Sequence, residues 1–184
     1  MKGTSLTDDY PYLRERGLTQ ESVYRGDYLK VRMDTVALPN GEVANREIVE
    51  HPGAIAVVPV DADGQVVLVR QYRYPIGEIT LEIPAGKLEW GESPEVCTQR
   101  EMAEEVGLKA AKLERLTEIV PAPGYSNERL VLFKATGLEA VEHASDPDEF
   151  LEVVRMPLKE ALKLVKKGEI TDAKTIIGLN WVAG

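Results

Sequence analysis

Residues 86–108 constrain this chain more than any other stretch. They run from Gly86 through Glu92 to Arg100-Glu101-Met102-Ala103-Glu104-Glu105-Val106-Gly107-Leu108. Ser93 followed by Pro94 is a helix start, with a capping hydroxyl and then a proline at the first helical position. Gly107 suits the left-handed residue that closes a helix. On the helix expected between them, Glu101 shares a face with Glu104 and Glu105, since residues three and four apart are neighbours. Like charges so placed repel, which a soluble helix does not need. Hard divalent cations, which take carboxylate oxygens as ligands, would offset the repulsion. The plainer reading of any one of these glutamates is a solvated position on an amphipathic helix.

The rest of the chain sets the frame for that helix. At 184 residues, with 43% hydrophobic and 29% charged residues, the chain has the size and composition of one globular domain. A net charge of -9 argues against a nucleic-acid surface, though not against a phosphate substrate if metal ions supply positive charge locally. The single cysteine, Cys97, fits a reducing cytoplasm. The apolar run 54–60 is too short for a membrane span and reads as a strand buried on both faces. Residues 1–22 read as a loosely held arm with a short helix. Residues 28–38 and 43–50 form a hairpin around Pro39-Asn40-Gly41. Further strands are expected at 65–73, 80–83, 112–120, 129–135 and 151–156, with loops at 86–91 and 143–149. Leu158, Ala161, Leu162 and Val165 mark a helix ending near Gly168, and a last helix starts near Asp172. The order is that of an α+β protein. Its expected division is an N-terminal arm and hairpin, 1–50, and a larger domain, 51–184.

The spacing Gly-x5-Glu-x7-Arg-Glu-aliphatic-x-Glu-Glu-x-Gly-aliphatic, met at every position with Met102 and Leu108 as the aliphatics, resembles the Nudix box of the Nudix hydrolases. The resemblance implies an α/β/α sandwich around a mixed sheet. It also implies Mg²⁺- or Mn²⁺-dependent hydrolysis of a nucleoside diphosphate linked to another group. The chemistry is consistent with it: metal ions neutralise an anionic diphosphate and make water a better nucleophile. By the resemblance, Glu101 and Glu105 are metal ligands, with Glu104 in support and the Ala85 carbonyl as a further ligand. Arg100 would orient Glu92 by a charge-assisted hydrogen bond.

Outside the box, Arg46-Glu47-Ile48-Val49-Glu50-His51-Pro52-Gly53, Arg70-Gln71-Tyr72-Arg73 and Leu81-Glu82-Ile83-Pro84-Ala85-Gly86-Lys87 are similar to the ADP-ribose pyrophosphatase branch. So is Pro123, fifteen residues after Leu108, and so is the ending from Gly168 to Thr175. That branch implies cleavage of ADP-ribose to AMP and ribose 5-phosphate, by a homodimer that exchanges its N-terminal hairpins. Arg46 and Arg73 would meet the diphosphate, since arginine forks suit phosphate. Glu82 would reach substrate or metal, Pro123 and Gly124 would shape a turn beside the nucleotide, and Tyr28 or Tyr125 would stack on adenine. Each also reads as an ordinary strand charge, turn or packed aromatic. The general base implied by the branch is Glu149, then Glu152, with Glu105 a third choice. His51 reads as structural. Two other readings stand beside this one: hydrolysis of another nucleoside diphosphate sugar or NADH, and a non-catalytic nucleotide-sensing module.

Overall fold

The computed structural model describes residues 6–26, 29–142 and 150–184. They fall into two units, one of residues 1–51 and 122–128 and the other of residues 52–121 and 129–184.

The larger unit is organised by strand β4 (Ala54–Pro59), buried at all six positions. Successive side chains of a strand point to opposite faces. Ile55 and Val57 therefore pack with Cys97, Met102 and Val106 of helix α2 (Pro94–Val106), while Ala54, Ala56 and Val58 pack with Ala161 and Leu179. Those two belong to helices α3 (Leu158–Lys167) and α4 (Ala173–Val182). Strand β5 (Gln65–Arg73) divides in the same way, Val67 and Val69 toward one cluster and Val66 and Leu68 toward the other. The result is the expected sandwich of helices on both sides of sheet. β4 pairs in parallel with β9 (Leu130–Ala140) and antiparallel with β7 (Ala85–Lys87). β9 pairs antiparallel with β8 (Leu108–Ile119), giving a mixed sheet of order β7-β4-β9-β8. A second, antiparallel sheet has the order β10-β5-β6, with β6 at Glu78–Glu82 and β10 at Leu151–Pro157.

The smaller unit departs from the arm and hairpin expected from the sequence. After a four-residue helix α1 (Leu6–Asp9) and a 3-10 turn (Pro11–Leu13), residues Arg16–Arg25 form strand β1. It pairs antiparallel with β2 (Lys30–Ala37), which pairs with β3 (Val43–Glu50). The hairpin is thus a three-stranded sheet. All ten residues of β1 are exposed, so no buried face imposes an alternation that could be read in advance. Residues 122–128 complete the unit: Val49 donates its N–H to the Tyr125 carbonyl at 2.7 Å.

A second correction concerns residues 86–91, expected to be all loop. Ala85–Lys87 is strand, pairing with Ala54–Ala56 of β4. The expected helices are present, and no helix among the described residues is long and apolar enough to cross a membrane.

Helix α4 lies close on the sheet because it carries glycine at the contact. A Cβ built on Gly178 would stand 2.9 Å from Val58 Cγ2 and 3.1 Å from Ile83 Cδ1. Gly178→Val should therefore destabilise the fold by about 1–3 kcal/mol through overpacking. Gly17→Ala, with nothing within 4 Å of the new Cβ, should change it by less than about 0.5 kcal/mol. Urea unfolding of both variants checks this.

Candidate active site

Helix α2 is fixed at both ends by the residues that signalled it. Ser93 Oγ accepts the Val96 N–H at 3.3 Å, and Gly107 closes the helix at φ 64° with its N–H on the Ala103 carbonyl. With Met102 and Val106 turned to the core, the helix directs two carboxylates at strand β7. Glu105, 5% exposed, accepts the Ala85 N–H at 3.1 Å. Glu101 lies against Gly86 so closely that a Cβ there would fall 1.8 Å from its carboxyl carbon. Only glycine leaves that space, so the motif's first residue makes room for its second carboxylate.

Arg100 binds three of the motif's four carboxylates, all but Glu105. Its Nε and Nη2 form a fork on Glu92, both bonds 3.0 Å, and its Nη1 donates to Glu101 at 2.8 Å and Glu104 at 2.9 Å. The Lys87 carbonyl accepts from Nη2 at 3.2 Å. The fork from Arg100 is the chief reason the Glu92 carboxyl is held down at about 2, and the same contact raises Arg100 against its burial. Burial beside them pushes the Cys97 thiol up to about 12, so this cysteine is no nucleophile at neutral pH.

One guanidinium does not neutralise four carboxylates. Among the described residues no three acidic, histidine or cysteine side chains stand together as a ready ion site. Arg100 holds Glu101 and Glu104, while Glu105 is bonded to the Ala85 N–H. The donor set still fits a hard cation. Glu101 and Glu105 meet the Ala85–Gly86 backbone, Glu104 shares Arg100 Nη1 with Glu101, and carboxylate oxygens are the ligands such ions take.

A second cluster lies at the other end of residues 82–86. Glu82 is 3% exposed and accepts a fork from Arg73, with both bonds 2.8 Å, together with the Thr80 hydroxyl at 2.5 Å and the Lys174 ammonium. Burial alone would raise the Glu82 carboxyl, but Arg73, Lys174 and Thr80 together hold it down at about 2. Lys174 also pairs with Asp172 at 3.0 Å. Arg73, Pro75, Ile76, Glu82 and Lys174 help line a cavity of about 430 Å³. Sequence reasoning passed over Lys174. Its signals were the family-like ending from Gly168 to Thr175 and the helix start within it, 92 residues from Glu82, and neither singled out the lysine.

The other expected site residues are placed as follows. Arg46 is on β3, with its Nε on Glu15 at 3.0 Å. Pro123 and Gly124 occupy a turn closed by the Tyr125 and Ser126 N–H groups on the Ala122 carbonyl, and the Tyr125 ring is exposed. Glu152 pairs with Arg70 at 2.7 Å. His51 packs with its side chain 7% exposed, 3.9 Å from Glu128. Tyr28, His143 and Glu149 lie outside the described residues.

The NUDIX domain model matches residues 50–177. The chain belongs to the NUDIX family. A second model, the nucleoside diphosphate sugar hydrolase N-terminal domain, matches residues 18–49 of this NUDIX protein, the span of β1 to β3. It is 41% identical over 172 residues to an ADP-ribose pyrophosphatase of Bacillus subtilis, covering 92% of this chain and 93% of that one. It is 40% identical to a methanol dehydrogenase activator of Bacillus methanolicus, covering 91% and 92%. A solved structure described as an ADP compounds hydrolase superposes with a TM-score of 0.82 at 26% identity, covering 92% of each chain. NUDIX hydrolases generally use a divalent metal.

The depressed carboxyls make the stability of this NUDIX fold depend on pH in acid. Glu82 and Glu92 have folded values near 2 against 4.5 for the free group, so the unfolded chain binds their protons first. Their stabilisation is complete above 4.5 and is lost as the pH falls toward 2. Urea unfolding between about pH 5 and pH 2 should show stability falling, and Glu92→Gln should make the fall shallower from a lower starting point.

Proposed function

We propose that this chain hydrolyses the diphosphate of ADP-ribose to AMP and ribose 5-phosphate, with Mg²⁺ or Mn²⁺. The observation that carries the reaction class is the convergence of Glu101 and Glu105 on the Ala85–Gly86 backbone beside the Arg100 fork. The substrate follows from the name of the Bacillus subtilis relative, which spans 92% of this chain. When bound, the divalent ion neutralises diphosphate charge and lowers the pKa of a water. Glu101, Glu104, Glu105 and the Ala85 carbonyl would hold it, while Arg100 and Glu92 keep the helix carboxylates in place. A phosphorus–oxygen bond forms to the water oxygen, the bridging phosphorus–oxygen bond breaks, and the departing phosphate leaves as the second product. Glu149 would take the water's proton, with Glu152 and Glu105 the other candidates. Arg46 and Arg73 would contact the diphosphate, and Tyr28, Pro123 and Gly124 the nucleoside.

The reading includes a homodimer joined through the N-terminal sheet. β1 is an edge strand exposed at every position and carries Leu18, Val23 and Tyr24, an edge that proteins ordinarily cover. The cytoplasm suits a chain whose one cysteine is a buried thiol.

The test is a panel of nucleoside diphosphate sugars and NADH with Mg²⁺ and product identification. ADP-ribose should be among the best substrates, and ranking it among the poor ones would overturn the choice. Glu105→Gln should lower turnover by more than about a hundredfold, beyond the effect of removing a ligand's supporting partner, with the fold intact by circular dichroism. Wild-type protein inert toward the whole panel would point instead to a nucleotide sensor.

A further inference from the structure

Lys174 is a charged member of the Glu82 cluster to which the proposed reaction gives no task. It is also unusually enclosed for a lysine, with a side chain 14% exposed. Its ammonium is held from two sides, by Glu82 and by Asp172 Oδ1 at 3.0 Å. Asp172 is itself fixed: its Oδ2 caps α4 through the Thr175 N–H at 3.0 Å and takes the Thr175 hydroxyl at 2.5 Å. Thr175 Oγ1 in turn accepts the Ile83 N–H at 2.9 Å. The start of α4 is therefore stitched to residues 82 and 83, and Lys174 cannot swing away.

The charges form an alternating row: Asp172, Lys174, Glu82, Arg73. All four members line the cavity of about 430 Å³, with Arg73 at the end of the row. Arg73 commits Nε and Nη2 to Glu82, and its Nη1 makes no hydrogen bond among the described residues. The row is neutral as a whole, but it ends on a cation with an uncommitted donor edge. Without Lys174, Arg73 alone would face two carboxylates, and the end of the row would turn from attracting an anion to repelling one.

We infer that Lys174 is a positioning residue for substrate: by sharing Glu82 it leaves Arg73 a cationic, uncommitted edge for the diphosphate. This rests on the reading of Arg73 as a diphosphate contact. Lys174 also lines the cavity, but its ammonium is paired with Glu82 and Asp172, and it acts through Arg73.

Calorimetric binding of ADP-ribose in EDTA tests the inference without turnover. Lys174→Met should weaken binding about tenfold, the worth of a charge-assisted hydrogen bond, and Lys174→Arg should restore most of the affinity. In an Arg73→Ala background, Lys174→Met should add nothing. Thermal midpoints taken alongside separate binding from folding: a Lys174→Met protein that melts early but binds like wild type overturns the inference, leaving the hydrolase reading intact. An additive loss in the Arg73→Ala background overturns it too, and so does absence of wild-type binding, since the Arg73 contact needs no metal. Lys174-dependent binding by a wild type inert with Mg²⁺ upholds the inference and overturns the hydrolase reading.

Discussion

A strand that is apolar on both faces must be covered on both, and the larger unit follows from that requirement on β4. One face takes α2 through Cys97, Met102 and Val106, and the other takes α3 and α4 through Ala161 and Leu179. Each buried aliphatic contributes on the order of 1.5–3 kcal/mol, so none of the three helices can leave without exposing the sheet. Residues 82–86 receive polar groups from two of them. From α2, Glu105 reaches the Ala85 N–H and Glu101 lies on Gly86. From α4, Thr175 reaches the Ile83 N–H and Lys174 reaches Glu82. Hydrophobic packing fixes the helices, and the helices then fix the carboxylates to within hydrogen-bonding distance.

The two polar clusters are built differently. Around Arg100, one cation serves three carboxylates on a partly open surface, which leaves negative charge for a divalent ion to meet. Around Glu82, two cations serve one buried carboxylate. A buried ion pair is weak evidence for stability, because desolvation consumes most of its attraction. Its value lies in orientation, and a carboxylate with every acceptor site taken cannot turn. The first cluster suits holding an ion, and the second suits holding an arginine still.

What was legible in the sequence was local. α2 could be read because its start, its end and its carboxylates lie within one short stretch. β4 could be read because an unbroken apolar run leaves no side that can face water. β1 could not, since a strand exposed on both faces shows no burial period. β7 is three residues long and contains a glycine. Lys174 and Thr175 contact residues 82 and 83 across 92 positions, and no periodicity links them. The family pattern named Arg73 and Glu82 as worth attention, but only the fold joins them into one fork.

Cys97 has a consequence for how the protein can be watched. Its thiol is fully enclosed under α2, donates to the Lys87 carbonyl at 3.3 Å and ionises only near 12. A thiol-reactive dye therefore finds no target while α2 stays on its sheet. Since the chain holds no other cysteine, the rate of labelling would time the opening of the very helix that carries the carboxylates, with no engineered probe.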